Sequence, residues 1–530
     1  MQRKLTFERR SEDEEVKEAG LVLDFDEIAR KGAMSKEEKN VAKWYGIYSS
    51  RQAGNHMARI VVPGGVITSS QARNIARTAE KYAMGKLSIT TRQSIQFHWL
   101  KVGGLANVMR MLAEEASTTR HGCGDVTRNV AACPLAETCR YRRFNVLAYA
   151  QRTSRYLGDA SDLDNLPRKF KVTYSGCGAG CAQPYINCVG AIAVLKKTGD
   201  REEAGFRVVI GGGMGWKPYV ARELFSFVPE DRMVQLTRAI ALLFRDHGDR
   251  FNRAKARLKF VVEKYGIDRC RELILENLVD EGVSTDGFLT EPFEEAGVPV
   301  PDRPLASEDP AGTDGLHTVR AMIPKGELTH RQLARLAELS EVYGDQRVRT
   351  TNRQNIELHG IQPAKVSEVK SEIEAIGFET SGFFGLRDMV PCVGTTYCPK
   401  AVAGTRELYD RLAPVVAKDK YQAIQKYALI NITGCPNSCS PYQISDIGFR
   451  GMRIREELGS TEGYELLIGG DQQSFGRKLG DFKSNDCPQI VETVLDTFVA
   501  IREAQESLSA CVNRLGIEPF QRAVFGGVTA

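Results

Sequence analysis

Hydrophobic positions along the chain fall into short runs and helical stripes, and one such arrangement occurs twice. Ile60 to Val62 form an apolar run that ends at Pro63. Behind it Ala72, Ile75, Ala76 and Ala79 recur at helical spacing, and SITTRQSIQFH (88–98) alternates apolar with polar residues. Ala321 to Ile323 end at Pro324 in the same way, followed by the stripe Leu333, Leu336, Ala337 and by RTTNRQNIELH (349–359). The pattern predicts strand, helix and returning strand in each stretch, with Ser69 or Ser70 and Thr329 as helix N-caps. The register marks a duplication. Arg59 and Arg92 are 33 apart (92 − 59), as are Arg320 and Arg353 (353 − 320), and His98 and His359 each lie six beyond the second arginine.

Between the copies, GFLTEPFEEAGVPVPDRPLASEDPAGTDG concentrates Pro292, Pro299, Pro301, Pro304 and Pro310 among acidic residues, which is linker composition. The expected division is an N-terminal extension (1–50), a first repeat unit (51–115), a first cysteine-bearing segment (116–285), the linker (286–315), a second repeat unit (316–376) and a second cysteine-bearing segment (377–530). A net charge of +5 over 530 residues does not suggest a nucleic-acid partner. The stretch MQRKLTFERRSEDEEVKEAG lacks the apolar centre of a secretory signal, and no apolar run approaches the ~18 residues of a membrane span, so a cytoplasmic protein is expected.

Thirteen cysteines are many for a reducing compartment, where metal or cluster ligation is the better use of them. PCVGTTYCPK places Cys392 and Cys398 at C-x5-C, and GCPNSCS places Cys435 and Cys439 at C-x3-C. Two loops of two thiolates can hold the four irons of a cubane; a zinc site or four free thiols are the alternatives. The first half repeats the set, with Cys133 and Cys139 at C-x5-C and Cys177 and Cys181 at C-x3-C. Cys123, Cys188, Cys270, Cys487 and Cys511 are scattered.

The two cysteine motifs, the DIGFRG that follows them and TTRQSIQFHW in the first repeat resemble the sirohaem nitrite/sulfite reductase family, above all its ferredoxin-dependent branch. The similarity extends through LFRDHGDRFNRAKARLKFVVEKYGI and covers nearly the whole chain. It implies an α+β, internally duplicated nitrite/sulfite reductase fold: two ferredoxin-like repeat units plus two α/β cysteine-bearing domains. It also implies a sirohaem joined through Cys439 to a 4Fe–4S cluster on Cys392, Cys398, Cys435 and Cys439. By position in the family's motifs, Arg59, Arg128, Lys169 and Lys171 match the anion-binding catalytic set, and Arg92, Gln96 and His98 match a macrocycle-binding strand. Period-two alternation on a strand would point Lys169 and Lys171 to one face. Tyr48 and Cys123 fall where some members join a tyrosine to a cysteine.

The expected reaction is six-electron reduction of sulfite to sulfide with electrons from an external donor, favoured as ferredoxin; reduction of nitrite to ammonia is the alternative. Lys171 tilts the choice, because plant-type nitrite reductases tend to have asparagine there. A precorrin-3B synthase-like enzyme would not need the lysine pair, and a two-cluster electron carrier would not need the arginines. In the second copy Tyr427 and Leu429 stand at the positions of Lys169 and Lys171, counted back from the C-x3-C pair. If the first-half quartet holds a second cluster, the site opposite it is expected to be inactive. Two stretches stay open: IGGGMG, as a backbone approach or a plain turn, and RAKARLKF (253–260), as a docking face or a solvated helix face.

Overall fold

The computed structural model describes residues 12–301, 310–457 and 459–526. Pro304 and part of the proposed linker lie outside them. The alternating stretches are hairpins and not single strands. Lys86–Ile89 turns back into Ile95–Leu100, and Arg347–Thr350 into Ile356–Ile361. Each turn closes on a glutamine in the left-handed region, Gln93 (φ 58°) and Gln354 (φ 65°). The strands before the prolines are His56–Ile60 and His317–Ala321, each shifted towards the N-terminus of the run expected. Thr68, and not Ser69 or Ser70, caps the helix Ser69–Tyr82 through a reciprocal capping box with Gln71. Thr329 does the same with Gln332 for His330–Tyr343.

The repeat units exchange strands. Glu327–Thr329 of the second copy pairs antiparallel with Lys86–Ile89 of the first, and Val66–Thr68 of the first pairs with Arg347–Thr350 of the second. One hydrophobic core therefore runs through both copies, from Ile75 and Phe97 to Leu336 and Leu358. Two further cores belong to one half each. Each is a five-stranded sheet whose first three strands are parallel: Ala131–Ala132, Val172–Ser175 and Val189–Thr198 in the first half, and Val390–Pro391, Ile430–Thr433 and Ile447–Glu456 in the second. Both cysteine motifs of each half leave the carboxyl ends of the first two parallel strands, where open parallel sheets place their ligands. Among the described residues no helix is long and apolar enough to cross a membrane.

Candidate active site

Arg59 stands on His56–Ile60, directly opposite Gln96 on Ile95–Leu100. The Gln96 amide, turned so that its oxygen faces the guanidinium, accepts from Arg59 Nε at 3.1 Å and Nη2 at 2.8 Å. Arg59 Nη1 donates to the Gly122 carbonyl at 3.0 Å, and Arg128 donates to the same oxygen at 2.9 Å and to the Gly124 carbonyl at 2.9 Å. Only glycine allows this approach, because a Cβ on residue 122 would lie 2.4 Å from the Arg59 carbonyl oxygen. Arg92 lies in the hairpin turn and not on the strand, so it does not share a face with Gln96 and His98. It donates to Asn187 Oδ1 (2.7 Å) and to the Val172 carbonyl (2.6 Å), and burial with neighbouring cations lowers it to about 9.

Lys169 and Lys171 flank Phe170, which bridges Thr127 just before the strand Val172–Ser175. Burial comes first and Arg92 and Arg257 next in bringing Lys171 to about 7, and burial also holds Lys169 well below the lysine range. The thiol of Cys439, from the other half, acts on both ammonium groups in the opposite sense. First-half lysines thus face a second-half cysteine. The contact is fixed by Thr91 Oγ1, which donates to the Cys439 carbonyl at 2.7 Å, and by Gln52 Nε2, which donates to the Thr396 carbonyl in the C-x5-C loop at 2.6 Å. Backbone N–H groups of Gly394 and Gly434 point at Cys392 Sγ from 3.4 and 3.2 Å, the support a cluster thiolate needs.

Among the described residues Arg59, Arg92, Arg128, Lys169, Lys171 and Arg257 have no carboxylate partner, and all six are partly open. Arg92 Nε, Arg257 Nε and Thr127 Oγ1 are buried without any hydrogen bond. A buried donor left unpaired is costly, and such a cation set has the chemistry to receive anionic oxygen. His98 stacks on Tyr397 of the C-x5-C loop (centroids 3.8 Å apart), and burial with Arg406 and Arg59 nearby lowers it to about 3, a neutral ring. Tyr48 is raised by burial and by its neighbour Cys123, with Arg128 and Arg59 acting against them.

Sequence reasoning missed Arg257, Cys188 and Lys259. In RAKARLKF only Ala254 and Lys255 are exposed, and the other basic residues turn inward. Arg253 binds Asp125 at 2.8 Å, Arg257 Nη2 reaches Cys188 Sγ at 3.5 Å, and buried Lys259 donates to the Gly213 and Met214 carbonyls at 3.4 and 3.2 Å. IGGGMG is the matching surface. A Cβ on Gly213 would meet Arg257 Nη2 at 3.2 Å and Lys259 Cδ at 3.3 Å. The signal available was the glycine run itself, which lets basic side chains pack against backbone.

The second copy holds its arginines differently. Arg320 Nε donates to Glu357 Oε1 at 2.9 Å, and Arg353 Nε donates to Asp388 Oδ2 at 2.6 Å, with all four side chains buried. Tyr427, in the place of Lys169, lies under the Arg502 guanidinium at 4.4 Å. The first-half cysteines Cys133, Cys139, Cys177 and Cys181 line one cavity, and the second half supplies part of its wall.

This architecture has known counterparts. Residues 123–281 and 384–527 match the nitrite and sulphite reductase 4Fe-4S domain, and residues 48–115 and 310–376 match the nitrite/sulfite reductase ferredoxin-like half domain. The chain belongs to the nitrite and sulfite reductase family. It is 29% identical to sulfite reductase (ferredoxin) 2 of Mycolicibacterium paratuberculosis, over 92% of each chain. It is also 29% identical to the assimilatory ferredoxin-dependent nitrite reductase of Haloferax mediterranei, over 92% of this chain and 88% of that protein. Among solved structures, the NirA protein of Mycobacterium tuberculosis superposes with a TM-score of 0.87 at 26% identity, covering 96% of this chain and 97% of that one. The residues present suit the family's cofactors. The unpartnered cations match the eight carboxylates of a sirohaem, and Cys439 stands beside them in the cysteine set that suits a 4Fe–4S cluster.

Proposed function

We propose that this chain reduces sulfite to sulfide between the cations of its first half and Cys439 of its second. One observation carries the reading: a recessed set of arginines and lysines, free of carboxylates, lies in the half whose Thr91 binds the carbonyl of Cys439, the last cysteine of the opposite quartet. When bound, the coupled sirohaem and cluster supply the electrons. Cys392, Cys398, Cys435 and Cys439 would hold the cluster, with Arg92, Gln96 and His98 along the macrocycle. The balance is HSO3⁻ + 6 e⁻ + 6 H⁺ → HS⁻ + 3 H2O, so each oxygen must be bound, protonated and released as water. Arg59 and Arg128, fixed by the Gly122 carbonyl, orient the anion. Lys169 and Lys171, destabilised as ammonium groups by burial, hold its oxygens, and Lys171, lowered to about 7, gives up a proton readily near neutrality.

Nitrite, converted to ammonia, is the second substrate, favoured by the nitrite reductase name carried by a relative of equal identity. The electron donor proposed is a ferredoxin, named in both relatives. The compartment proposed is the cytoplasm, supported by thirteen cysteines of which none is paired in a disulfide. The test is direct. The pure protein should show sirohaem absorption, yield sirohaem on extraction and form sulfide from sulfite with a reduced donor. A colourless, folded, iron-free protein with full sulfite turnover would refute the reading.

A further inference from the structure

The first-half quartet repeats several backbone contacts of the second, while among the described residues the N–H that Gly434 turns on Cys392 Sγ has no equal at Cys133, whose thiol bonds that of Cys181 instead. Cys133 N–H donates to the Tyr174 carbonyl (2.9 Å) as Cys392 N–H does to that of Ile432 (2.8 Å). The backbone donors aimed at sulfur recur at the same offsets. Leu135 serves Cys133 as Gly394 serves Cys392, two residues on. Tyr141 and Arg142 serve Cys139 as Lys400 and Ala401 serve Cys398. Ala179 serves Cys177 as Asn437 serves Cys435. The cross-half contact recurs too: Asn352 Nδ2 donates to the Cys181 carbonyl at 2.7 Å, and Asn352 is the duplicate of Thr91, which holds the Cys439 carbonyl (352 − 91 = 261 = 320 − 59). Four free thiols with no task would not need these N–H donors. Among the described residues no group of His, Cys, Asp or Glu closes around a single ion. The first-half thiols line a cavity instead.

The far wall of that cavity is closed to anions. It is formed by Arg320, Glu357 and Phe384. Gln96 in the working site corresponds to Glu357 here (357 − 96 = 261), and Asn129 corresponds to Asp388 (388 − 129 = 259 = 392 − 133). Both changes place a carboxylate against the arginine that the other site leaves open. The Phe384 ring covers both guanidinium groups, at 5.5 Å from Arg320 and 6.0 Å from Arg353.

We propose that Cys133, Cys139, Cys177 and Cys181 hold a second 4Fe–4S cluster in a chamber that takes neither a macrocycle nor an oxyanion. The type of cluster rests on the family reading above, whereas the closed wall rests on the ion pairs and the Phe384 ring. The experiment is a count on full-length protein assembled without oxygen: iron, acid-labile sulfide and extractable sirohaem per chain, with an iron-edge anomalous map of its crystals. About nine irons are expected, eight in two cubanes and one in a single sirohaem, and the map should show two separate four-iron sites. Cys177→Ser with Cys181→Ser should remove about four irons and leave the sirohaem bands in place. If that variant does not fold, the wild-type map decides. About five irons with one sirohaem would overturn the second cluster and leave the proposed function standing. Zinc at the quartet would overturn the cluster type, and two sirohaems per chain would overturn the closed wall. No sirohaem at all would be a failure of the proposed function.

Discussion

The working site and its duplicate share strands, turns and arginine positions, and they differ in who supplies the negative charge. In the duplicate the protein supplies it, through Glu357 to Arg320 and Asp388 to Arg353, in a buried wall. In the working site the same arginine positions, Arg59 and Arg92, meet only amides and carbonyls. Removing a carboxylate from a recessed cation is unfavourable, by about 3–5 kcal/mol for a buried pair, unless a ligand restores the charge. The difference teaches that two neutral residues, Gln96 and Asn129, leave the first-half arginines without a carboxylate, as the proposed anion site requires. Lys169 and Lys171 then add charge where the duplicate has Tyr427 and Leu429.

The largest effect is expected from Cys439→Ser. Loss of the thiolate that faces the lysines should bring sulfite turnover to background and change the visible spectrum, while the first-half quartet keeps its iron. Next comes Lys171→Asn. Losing one ammonium from a recessed site should lower kcat/KM for sulfite about 100-fold, or ~2.7 kcal/mol, and for singly charged nitrite about tenfold. Equal losses on both anions, measured with one artificial donor, would remove Lys171 as a selector.

A smaller change should make the working site resemble its duplicate. Gln96→Glu places a carboxylate against Arg59, as Glu357 lies against Arg320. It is expected to raise KM for sulfite about tenfold and to lower sirohaem content, with no loss of melting temperature. An unchanged KM would break the comparison. The reverse variant, Glu357→Gln, uncovers a buried guanidinium and should cost about 3 kcal/mol of stability, read from the urea midpoint.

The smallest effect concerns pH. His98 has its pKa depressed to about 3 in the fold against about 6.5 unfolded, so its contribution to stability is present above pH 6.5 and is lost as pH falls below it. Between pH 7.5 and 5.5 the wild type should lose about 1 kcal/mol more than His98→Gln. Parallel losses would show that the ring is not buried neutral.

Much of this was legible in the sequence, because duplication is a matter of register and cysteine spacing is a matter of covalent reach. Arg59, Lys171 and the second-half quartet could be set against each other before any coordinates, and in the structure Thr91 of the first half binds the Cys439 carbonyl of the second. Three things were not legible. Ile89, Ile95 and Phe97 stay in phase on either side of the polar Thr90–Ser94 turn, so a hairpin reads as one strand; Gln93 in the left-handed region breaks it. The strand exchange between Val66–Thr68 and Glu327–Thr329 is tertiary, since either three-residue strand would pair as well at home. Arg257 and Lys259 look like surface charge because nothing local says that a glycine run will cover them.

Where the anion sits distinguishes the two chambers. A crystal structure of the holoprotein soaked in sulfite would locate it without reference to rates. Sirohaem and sulfite are expected together between Arg59, Arg128, Lys169, Lys171 and Cys439, with the chamber behind Arg320 and Glu357 holding neither. Sulfite or macrocycle on the Arg320 side, or in both chambers, would contradict this arrangement.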